Sequence, residues 1–536
     1  MIIDLEQAAD GQLWVNSAIC IVGGGAAGVT IAKSLLDRGL DVCLLEAGGM
    51  KIEQDQQALL DGESIGAPIR LDEGRYRRLG GATGAWTGRC AELDPIDFER
   101  RDWVPGSGWP IGLDDLKPYY RAAEAMCGFE EPWRSNVDEL DRLATPDMAD
   151  EAIQPFLWRF APHGRNRYQD WGSRYLAELR RSRHAKLILH ANLTRIEDSA
   201  DDDRIRAIVA RSANGGTVRV EARHFILCCG GIENARLLLN AAITSRGPLR
   251  AAGQTTGRYF MQHPRVKVAD VVLDPAGAGL QNLLNRFVVR SGTEYETGFV
   301  LRDRQQRSEQ LLNASAVIRY APRPGSLRDA VRQLRGGTPL RKVRMTPPSQ
   351  GVRPGAFCND VWRYARGLHP ILIDPVASII VDVEQAPDPA SRIALAESKD
   401  SFGLNKVRVD WRIADLERRT VAHFTGRIRD MFARQGWGTL LPIAGLDESG
   451  GLTAEHMMES YHHIGATRMS ATSATGTVDA DCRVHQLANL HVCGASVMPT
   501  GGHANPTFTI VALALRLADR IARLSAPMTT PTVQRF

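Results

Sequence analysis

The clearest pattern of apolar and polar positions lies in the first fifty residues. Residues 18–22 (AICIV) are an uninterrupted apolar run, which predicts a buried strand of a parallel sheet. Apolar residues then recur at helical spacing over residues 26–38, and Gly39 is expected to end that helix. The run DVCLLE, residues 41–46, predicts a second strand that ends in Glu46. We therefore expect a strand–helix–strand unit at the start of the chain.

The last long apolar pattern predicts a helix over residues 506–524. Its apolar residues recur closely enough to cover most of the helix surface, so the helix should be largely buried. The residues that set this spacing are Phe508, Ile510, Val511, Leu513, Leu515 and Leu517. Asn505 directly precedes Pro506, which is the arrangement typical of an N-cap followed by proline at the first helical position.

Between the first strand and its helix, Gly23, Gly25 and Gly28 form a G-x-G-x-x-G motif. In a dinucleotide-binding unit the first glycine permits the tight turn, the second lets a pyrophosphate approach the backbone, and the third lets helix and strand pack closely. Glu46 would accept hydrogen bonds from ribose hydroxyls, and an acid at this position argues against a 2′-phosphate. The motif predicts a dinucleotide site rather than an ordinary turn, but it does not separate FAD from NAD.

Composition and charge narrow the class of protein. A chain of 536 residues is too long for one ordinary core, so we expect two domains or one large elaborated domain. The net charge of +4 comes from 66 basic and 62 acidic residues, which gives no reason to expect nucleic acid as a partner. A basic stretch over residues 319–344 is interpreted as a solvated insertion, with a docking surface for a partner or an anionic lipid as the alternative. Its basic residues are Arg319, Arg323, Arg328, Arg332, Arg335, Arg341, Lys342 and Arg344.

The cysteines favour a reducing compartment. The chain has nine cysteines and no C-x-x-C, and several of them lie in apolar runs, as small buried residues do. The first fourteen residues carry acids and no basic region, unlike a signal peptide, and no apolar run is long enough for a membrane span. We therefore expect a cytoplasmic protein without a transmembrane segment. No metal site is predicted.

Five phrases carry a resemblance to a known family: the opening unit, RYRRLGGATGAWTGR (75–89), FILCCGGIENARLLLNA (225–241), GRYFMQHP (257–264) and NLHVCGASVMPTGGHANPTFTIVALALRLADRI (489–521). In this order they resemble the glucose–methanol–choline (GMC) oxidoreductases, which are FAD-dependent enzymes acting on alcohols. Two further phrases, EQAPDPASRIAL (384–395) and VDWRIAD (409–415), are similar to the sugar-oxidising branch, which includes pyranose oxidases and glucoside 3-dehydrogenases.

The resemblance implies an α/β fold with an interleaved organisation. A Rossmann-like FAD-binding domain would be assembled from residues 1–100, 185–268 and 450–536. An α+β substrate-binding domain with an antiparallel sheet would be formed by residues 101–184 and 269–449.

The resemblance also implies a catalytic pair. The phrase SYHHIGATRM places the family's catalytic base on His462, directly after Tyr461, and GGHANPTFTI places its second catalytic residue on Asn505. A neutral imidazole suits removal of a hydroxyl proton as hydride leaves carbon for flavin N5, and an amide both donates and accepts hydrogen bonds without charge. His503 is the rival base, and His263 is interpreted as bracing the turn before Pro264.

Further positions follow from the resemblance as cofactor contacts: Gly81, Thr83, Leu193, Gly494, Ala495, Pro506 and Thr507. Some sugar oxidases of the family hold FAD covalently through a histidine at the position of Ala85, so the flavin is expected to be non-covalent here. Many members carry Asp where this chain has Gly494, and glycine there is usual among sugar oxidisers.

The expected substrate is a sugar, a glycoside or another alcohol, with Gln385, Arg392 and His463 as candidate contacts. Trp103, Trp109, Trp158 and Trp171 could form a stacking wall, but ordinary packing is the favoured interpretation. Oxygen, a quinone and a redox partner protein all remain open as electron acceptor. Two alternatives are an FAD-containing lyase of the same fold, which cleaves cyanohydrins, and an NAD-dependent Rossmann dehydrogenase.

Overall fold

The computed structural model of the chain describes most of its length in a few long stretches. These are residues 1–7, 12–130, 150–162, 170–274, 280–281, 283–288, 293–322, 375–443 and 456–525, with the single positions 132, 329, 333, 334, 372 and 452.

The first sheet has eight strands and holds the N-terminal unit at its centre. Five strands follow the order β1-β7-β3-β2-β10 with parallel neighbours, β20 pairs with β10 in parallel, and β9 and β8 extend the sheet in antiparallel. The bounds are β1 Ile2–Asp4, β2 Gln12–Val22, β3 Val42–Leu45, β7 Ala185–Leu189, β8 Asn192–Ser199, β9 Asp202–Arg211, β10 Thr217–Leu227 and β20 Leu490–Val492.

Helices cover this sheet because their apolar residues face it. Helix α1 (Ala26–Leu36) follows β2 directly, and helix α10 (Pro506–Ser525) packs against it and against α4 (Leu113–Cys127). The apolar positions that predicted the C-terminal helix are mostly buried, including Phe508, Val511 and Leu517. The other helices are α2 Gln54–Ala58, α3 Pro95–Phe98, α5 Trp171–Arg181, α6 Glu233–Thr244, α7 Pro248–Ala252, α8 Asp303–Glu309 and α9 Asp415–Gln435.

The second sheet is antiparallel and has nine strands. Its main order is β18-β11-β15-β14-β13-β6-β5, with β12 beside β13 and β19 beside β11. One face packs on helix α9 through Phe424, Ile428 and Phe432, all fully buried, and forms a separate apolar core. The bounds are β5 Arg89–Cys90, β6 Ile153–Phe160, β11 Arg265–Leu273, β12 Arg286–Val288, β13 Glu294–Leu301, β14 Ala314–Ala321, β15 Val376–Val383, β18 Gly438–Pro442 and β19 Met457–Met458.

A small third sheet joins distant parts of the chain. Strand β17 (Asn405–Trp411) pairs in parallel with β4 (Gly62–Gly66) and antiparallel with β16 (Arg392–Lys399). The α/β class, with a parallel sheet beside an antiparallel one, confirms the fold expected from the sequence. The division into two discontinuous domains at the stated boundaries stays a prediction.

Two other expectations from the sequence can be compared with the structure, namely the absence of a membrane span and the nature of the basic stretch. None of the helices in the described part of the chain combines the length and apolar character needed to cross a bilayer. In the basic stretch, Arg319 lies in β14 and pairs with Glu296 of β13. The remaining basic residues of that stretch lie outside the described residues, so its interpretation stays a prediction.

Candidate active site

A cavity opens at the carboxyl ends of β2, β3 and β10. Parallel strands present their carboxyl ends at one edge of a sheet, which is where open α/β sheets bind ligands. Ala191, Asn192 and Leu193 line one end of the cavity, and His462 and His463 line its wall as well. Of the predicted cofactor residues, those that line it are Gly23, Gly25, Glu46, Gly81, Thr83, Leu193, Gly494, Ala495, Pro506 and Thr507.

The three glycines of the motif have different surroundings. Gly23 has φ of +99°, and a Cβ added there would lie 2.6 Å from the carbonyl oxygen of Cys228. A Cβ on Gly28 would lie 1.9 Å from the carbonyl oxygen of Gly23, so the close packing of α1 on β2 requires glycine. A Cβ on Gly25 would meet no protein atom within 4 Å, because Gly25 faces the open cavity. The geometry therefore matches the turn, packing and ligand-approach roles expected from the motif.

Glu46 lies at the end of β3 and is 5 % exposed. Its Oε2 accepts a hydrogen bond from the N–H of Gly24 at 2.8 Å, and its Oε1 accepts one from the N–H of Gly48 at 2.9 Å. Burial raises the pKa of Glu46, while these backbone hydrogen bonds oppose the shift. Each carboxylate oxygen has a second lone pair, so the side chain retains acceptor capacity on the cavity side.

The cavity fits a dinucleotide by the chemistry of its donors. Gly25 and Gly230 both present backbone to open space, since an added Cβ at either position meets nothing within 4 Å. The first turns of α1 and α10 have N–H groups without helical partners, and both helices begin at the cavity wall.

Among the described residues, no group of three or more His, Cys, Asp or Glu is arranged to hold a metal ion.

Three residues distant in the chain come together at His462, which lines the cavity, while Asn505 and His263 contact it from outside the lining. His462 Nε2 lies 3.0 Å from Asn505 Nδ2, and His462 Nδ1 lies 2.8 Å from His263 Nδ1. The rings of His263 and His462 meet edge to face, with centroids 4.9 Å apart. Backbone pairing creates this arrangement, because Met261 and Ile464 exchange hydrogen bonds of 3.0 and 2.9 Å and bring the two histidines side by side.

The contacts assign the tautomer of His462. An amide nitrogen can only donate, so with Asn505 Nδ2 as donor the Nε2 atom of His462 is the acceptor and its proton lies on Nδ1. That proton is donated to His263 Nδ1. Burial lowers the pKa of His462 well below its usual value, and His263 and Arg265 lower it further. A neutral imidazole with an unprotonated Nε2 is the form that can accept a proton.

Asn505 lies immediately before helix α10, which begins at Pro506 as the sequence predicts. The helix start fixes the position of the Asn505 backbone, and the side-chain amide then reaches His462. One amide donor and one imidazole acceptor, side by side, match the two needs of a hydroxyl group, which accepts one hydrogen bond and donates another.

His463 and the other two candidate substrate contacts lie in different places. His463 lines the cavity and stacks on Phe260, and burial lowers its pKa to about 3. Gln385 is buried outside the lining, and its Oε1 accepts hydrogen bonds from Trp411 Nε1 and the N–H of Gln262 at 2.8 and 2.9 Å. Arg392 begins β16 with an exposed side chain, and it too lies outside the lining.

The rival base and the tryptophans pack into the interior. His503 is 2 % exposed, lies edge-on to Phe156 and Trp158, and approaches Asp94 Oδ2 at 3.3 Å through its Nε2. Trp158 and Trp171 are fully buried, and the indole N–H of Trp109 donates to Thr500 Oγ1 at 2.8 Å. Trp103 donates to the carbonyl of Leu311 at 2.9 Å. None of these five residues lines the cavity, which fits the packing interpretation of the tryptophans.

Sequence reasoning missed two groups of the site. His263 was assigned to a turn, and only the pairing of its segment with that of His462 reveals its contact. A buried charged cluster also lines the cavity, in which Glu233 binds Arg75 at 3.3 Å and Arg236 at 2.5 Å, with Arg77 at 3.9 Å. Burial lowers the pKa of Arg75 to about 10. The run RYRR at 75–78 was the available signal, since three arginines in four residues are unusual beside a glycine-rich turn.

Comparison with known families matches two parts of the chain. Residues 18–360 match the family described as FAD dependent oxidoreductase, which is more than half of the chain. Residues 387–514, which include His462 and Asn505, match the GMC oxidoreductase C-terminal family.

Among characterised proteins, the chain is similar over nearly its whole length to an oxidase and to the large subunit of a dehydrogenase. Paromamine 6'-oxidase of Streptomyces fradiae is 25% identical, with 96% of this chain and 92% of that protein covered. The fructose dehydrogenase large subunit of Gluconobacter japonicus is 24% identical, with 95% of this chain and 98% of that protein covered.

Solved structures share the fold. A formate oxidase from Aspergillus oryzae aligns with a TM-score of 0.58 at 17% identity, covering 96% of this chain and 99% of the other. Pyridoxine 4-oxidase aligns with a TM-score of 0.55 at 18% identity, covering 95% and 99%. At these identities the likeness shows the architecture and nothing finer.

Proposed function

The chain belongs to the FAD-dependent oxidoreductases, in the GMC family, and from that premise we propose that it oxidises an alcohol, in the first instance a sugar or glycoside hydroxyl, to a carbonyl. The observation that carries the proposal is the contact of Asn505 Nδ2 with His462 Nε2, since His462 lines the cavity. The names of the relatives, a paromamine oxidase and a fructose dehydrogenase, support the substrate class.

The residues act on the substrate hydroxyl in a defined order. The hydroxyl donates its hydrogen bond to His462 Nε2 and accepts one from Asn505 Nδ2, replacing the contact between the two side chains. His462 then takes the hydroxyl proton and becomes an imidazolium, whose Nδ1–H keeps its acceptor on His263. Bound FAD would supply the acceptor for the hydride that leaves the carbinol carbon. Burial of the site excludes water, which strengthens these hydrogen bonds.

The FAD would extend along the cavity without a covalent bond to the chain. Gly23, Gly25 and the first turn of α1 would hold the pyrophosphate, and Glu46 and Leu193 would contact the adenosine half. Gly81, Thr83, Gly494, Ala495, Pro506 and Thr507 would contact the flavin half, where the start of α10 favours negative charge. Non-covalent binding is supported by Ala85, which has no nucleophilic atom; acid precipitation should leave the yellow colour in the supernatant, and colour retained in the pellet would contradict it.

For the substrate, His463 is the proposed contact with support from the cavity lining. Proposed contacts of Gln385 and Arg392 have no such support, since both side chains lie outside the lining. Oxygen, a quinone and a redox partner protein remain the candidate electron acceptors. A cytoplasmic location is supported by the eight cysteines of the described residues, all of which are free thiols.

The test is anaerobic mixing of the purified yellow protein with a panel of sugars, glycosides and simple alcohols. We expect at least one sugar or glycoside to bleach the visible absorption of the bound flavin, and air, a quinone or a dye to restore it. A lyase of the same fold would convert a cyanohydrin without bleaching, and an NAD-dependent dehydrogenase would be colourless when purified; either result would overturn the proposal.

A further inference from the structure

A second cavity lies at a different place on the same sheet. Its volume is about 340 Å³, far above the roughly 15 Å³ that one water needs. It is formed beside strands β10 and β20 and the last turns of helix α10, and it shares no lining residue with the first cavity. The polar residues that line it are Arg204, Arg223, His224, Arg483, His491 and Arg520, with Asp481.

The cavity carries an excess of positive charge. Asp481 is the one acid among the lining residues, and its carboxylate is already approached by Arg516 at 3.4 Å and Arg520 at 3.3 Å. Arg483 pairs with Asp479 at 3.0 Å. Arg204 and Arg223 have no carboxylate within 4.0 Å in the part of the chain that the structure describes, and the side chain of Arg204 donates only to the carbonyl of Arg223, at 3.2 Å.

Two buried imidazoles add unpaired hydrogen-bonding atoms. His491 is 1 % exposed and His224 is 9 % exposed, and their ring centroids lie 5.9 Å apart. The Nδ1 atom of each ring is buried without a hydrogen-bond partner among the described residues. A buried polar atom without a partner costs on the order of 1–3 kcal/mol, and both of these rings belong to residues that line the cavity.

The charges around these rings show which ligand fits. Burial, followed by the charges of Arg204 and Arg223, lowers the pKa of His224 to about 4. Burial and then His224 lower the pKa of His491 to about 3. Both imidazoles are therefore neutral, and each can present one N–H group as a donor. The surroundings repel a cation and favour an anion that accepts several hydrogen bonds from different directions.

We propose that this cavity is a binding site for a phosphate group, held by the guanidinium groups of Arg204 and Arg223. A phosphate has acceptor oxygens on several sides and can engage two guanidinium forks together, whereas a carboxylate has two oxygens on one side. The phosphate is either free or carried by a small metabolite, because the cavity is larger than one phosphate ion.

The experiment is a calorimetric titration of the FAD-loaded enzyme with inorganic phosphate, at ionic strength matched with chloride. Loading with FAD keeps phosphate out of the first cavity. We expect one phosphate to bind per chain, and the double variant Arg204→Gln/Arg223→Gln to bind it about a hundredfold more weakly, as two lost charge-assisted contacts predict. Both side chains are exposed at their edges, so the variant should fold, with unchanged FAD content and unchanged thermal midpoint in chloride.

The matched control is Arg180→Gln, which removes an exposed arginine of helix α5, remote from the lining of this cavity. Its phosphate affinity should equal that of the wild type. No heat of binding to the wild type, or equal affinity in the double variant, would overturn the proposal. Acetate that binds as tightly as phosphate would overturn the assignment to phosphate, and a titration with a sugar phosphate in place of inorganic phosphate distinguishes a carried phosphate from a free one.

Discussion

The chemistry of the site depends on the direction of two hydrogen bonds at one imidazole. Asn505 donates to His462 Nε2, and His462 donates from Nδ1 to His263. The first bond is accepted by the lone pair of Nε2, at which a substrate hydroxyl can replace the amide, and the second holds the ring in one orientation. His263 is neutral because burial lowers its pKa to about 4, so it acts as an acceptor and adds no charge. It positions the base and does not itself reach the cavity lining.

Asn505→Ala removes the donor beside the base. We expect flavin reduction by substrate to slow by about a hundredfold, which is the lower end of the loss when one preorganised donor is removed. The loss of stability should stay near or below about 1 kcal/mol, since the Asn505 side chain bonds to His462 and makes no capping bond to the helix. Rapid-mixing absorbance and chemical unfolding measure the two effects.

The matched control is Asn505→Gln, which keeps the amide but lengthens its stem by one methylene group. It should recover part of the rate. An Asn505→Ala enzyme with an unchanged reduction rate would remove the amide from the mechanism.

At the residue scale, His462 and Asn505 could be predicted from the sequence, because each lies in a phrase that resembles one in the GMC family. The contact of His263 with His462 could not be predicted, since it requires the backbone pairing of Met261 with Ile464, which lie two hundred residues apart along the chain. The places of Gln385 and Arg392 could not be predicted either. Polar residue type alone does not show whether a side chain faces a cavity, the interior or solvent.

At the scale of elements, the turn from β2 into α1 contains one glycine that the fold requires and another that faces the proposed cofactor site. Gly28 permits the helix to touch the strand, whereas Gly25 faces open space where the pyrophosphate would lie. Both glycines belong to the same motif, but only Gly28 is needed for the packing of the polypeptide. This difference makes the turn testable by paired substitutions.

Gly28→Ala and Gly25→Ala should therefore fail in different ways. The alanine Cβ at position 28 would lie 1.9 Å from a backbone oxygen, so the apoprotein should lose about 3 kcal/mol of stability through overpacking. The alanine at position 25 should change the stability of the apoprotein by about 1 kcal/mol or less, because Gly25 is only a weakly preferred cap. It should still weaken FAD binding by blocking the backbone.

Thermal unfolding of the two apoproteins and fluorescence titration with FAD separate the cases. Wild-type FAD affinity in Gly25→Ala would show that the cofactor does not approach this turn. Equal stability of the two apoproteins would contradict the packing role of Gly28.

Element types were predictable and their bounds less so. The strand expected at residues 18–22 extends over Gln12–Val22, because residues 12–17 alternate between exposed and half-buried positions while pairing with β10. The helix expected over residues 26–38 ends at Leu36, and Gly39 has φ of +72°, as a residue that ends a helix does. The spacing of apolar residues reveals the buried part of an element, but it does not reveal the part that extends beyond the core.

At the scale of the whole molecule, chain segments far apart in sequence build each structural layer. The parallel sheet takes strands from the N-terminal residues, from the 185–227 region and from Leu490–Val492, and the antiparallel sheet takes the strands between them. The interleaving follows from family resemblance and could not be derived from apolar periodicity, because periodicity predicts elements and not which of them pair. The pairing of β4 with β17 is an example, since nothing local in either strand indicates the other.

One ionic contact ties three of these segments together. His190, at the end of β7, contacts Asp4 Oδ1 through Nδ1 at 2.7 Å and Glu53 Oε2 through Nε2 at 2.9 Å. Burial alone would lower the pKa of His190, but the hydrogen bonds to Asp4 and Glu53 outweigh it and raise the pKa. A raised pKa stabilises the folded state below the ordinary value for histidine, and this contribution is lost as pH rises through the raised value.

We therefore expect the contribution of His190 to the free energy of unfolding to fall as pH rises from about 6 to 8, across and above the ordinary histidine pKa of about 6.5. His190→Gln should reduce that pH dependence while keeping one hydrogen bond to an acid. His184→Gln is the matched control, because His184 contacts Asp41 at 2.7 Å but lies at the surface. Urea unfolding at a series of pH values measures this dependence. A pH dependence of the unfolding free energy that is unchanged in His190→Gln would contradict the stabilising role of the contacts of His190 with Asp4 and Glu53.

The most direct test of the central claim, that His462 is the base, is anaerobic rapid mixing of substrate with FAD-loaded wild type, His462→Ala and His463→Ala. The account predicts that all three retain FAD, and that His462→Ala reduces its flavin about a thousandfold more slowly at saturating substrate, within the range for loss of a general base. His463→Ala should keep a limiting rate near the wild type while needing more substrate. A His462→Ala enzyme whose flavin bleaches at the wild-type rate would contradict the account.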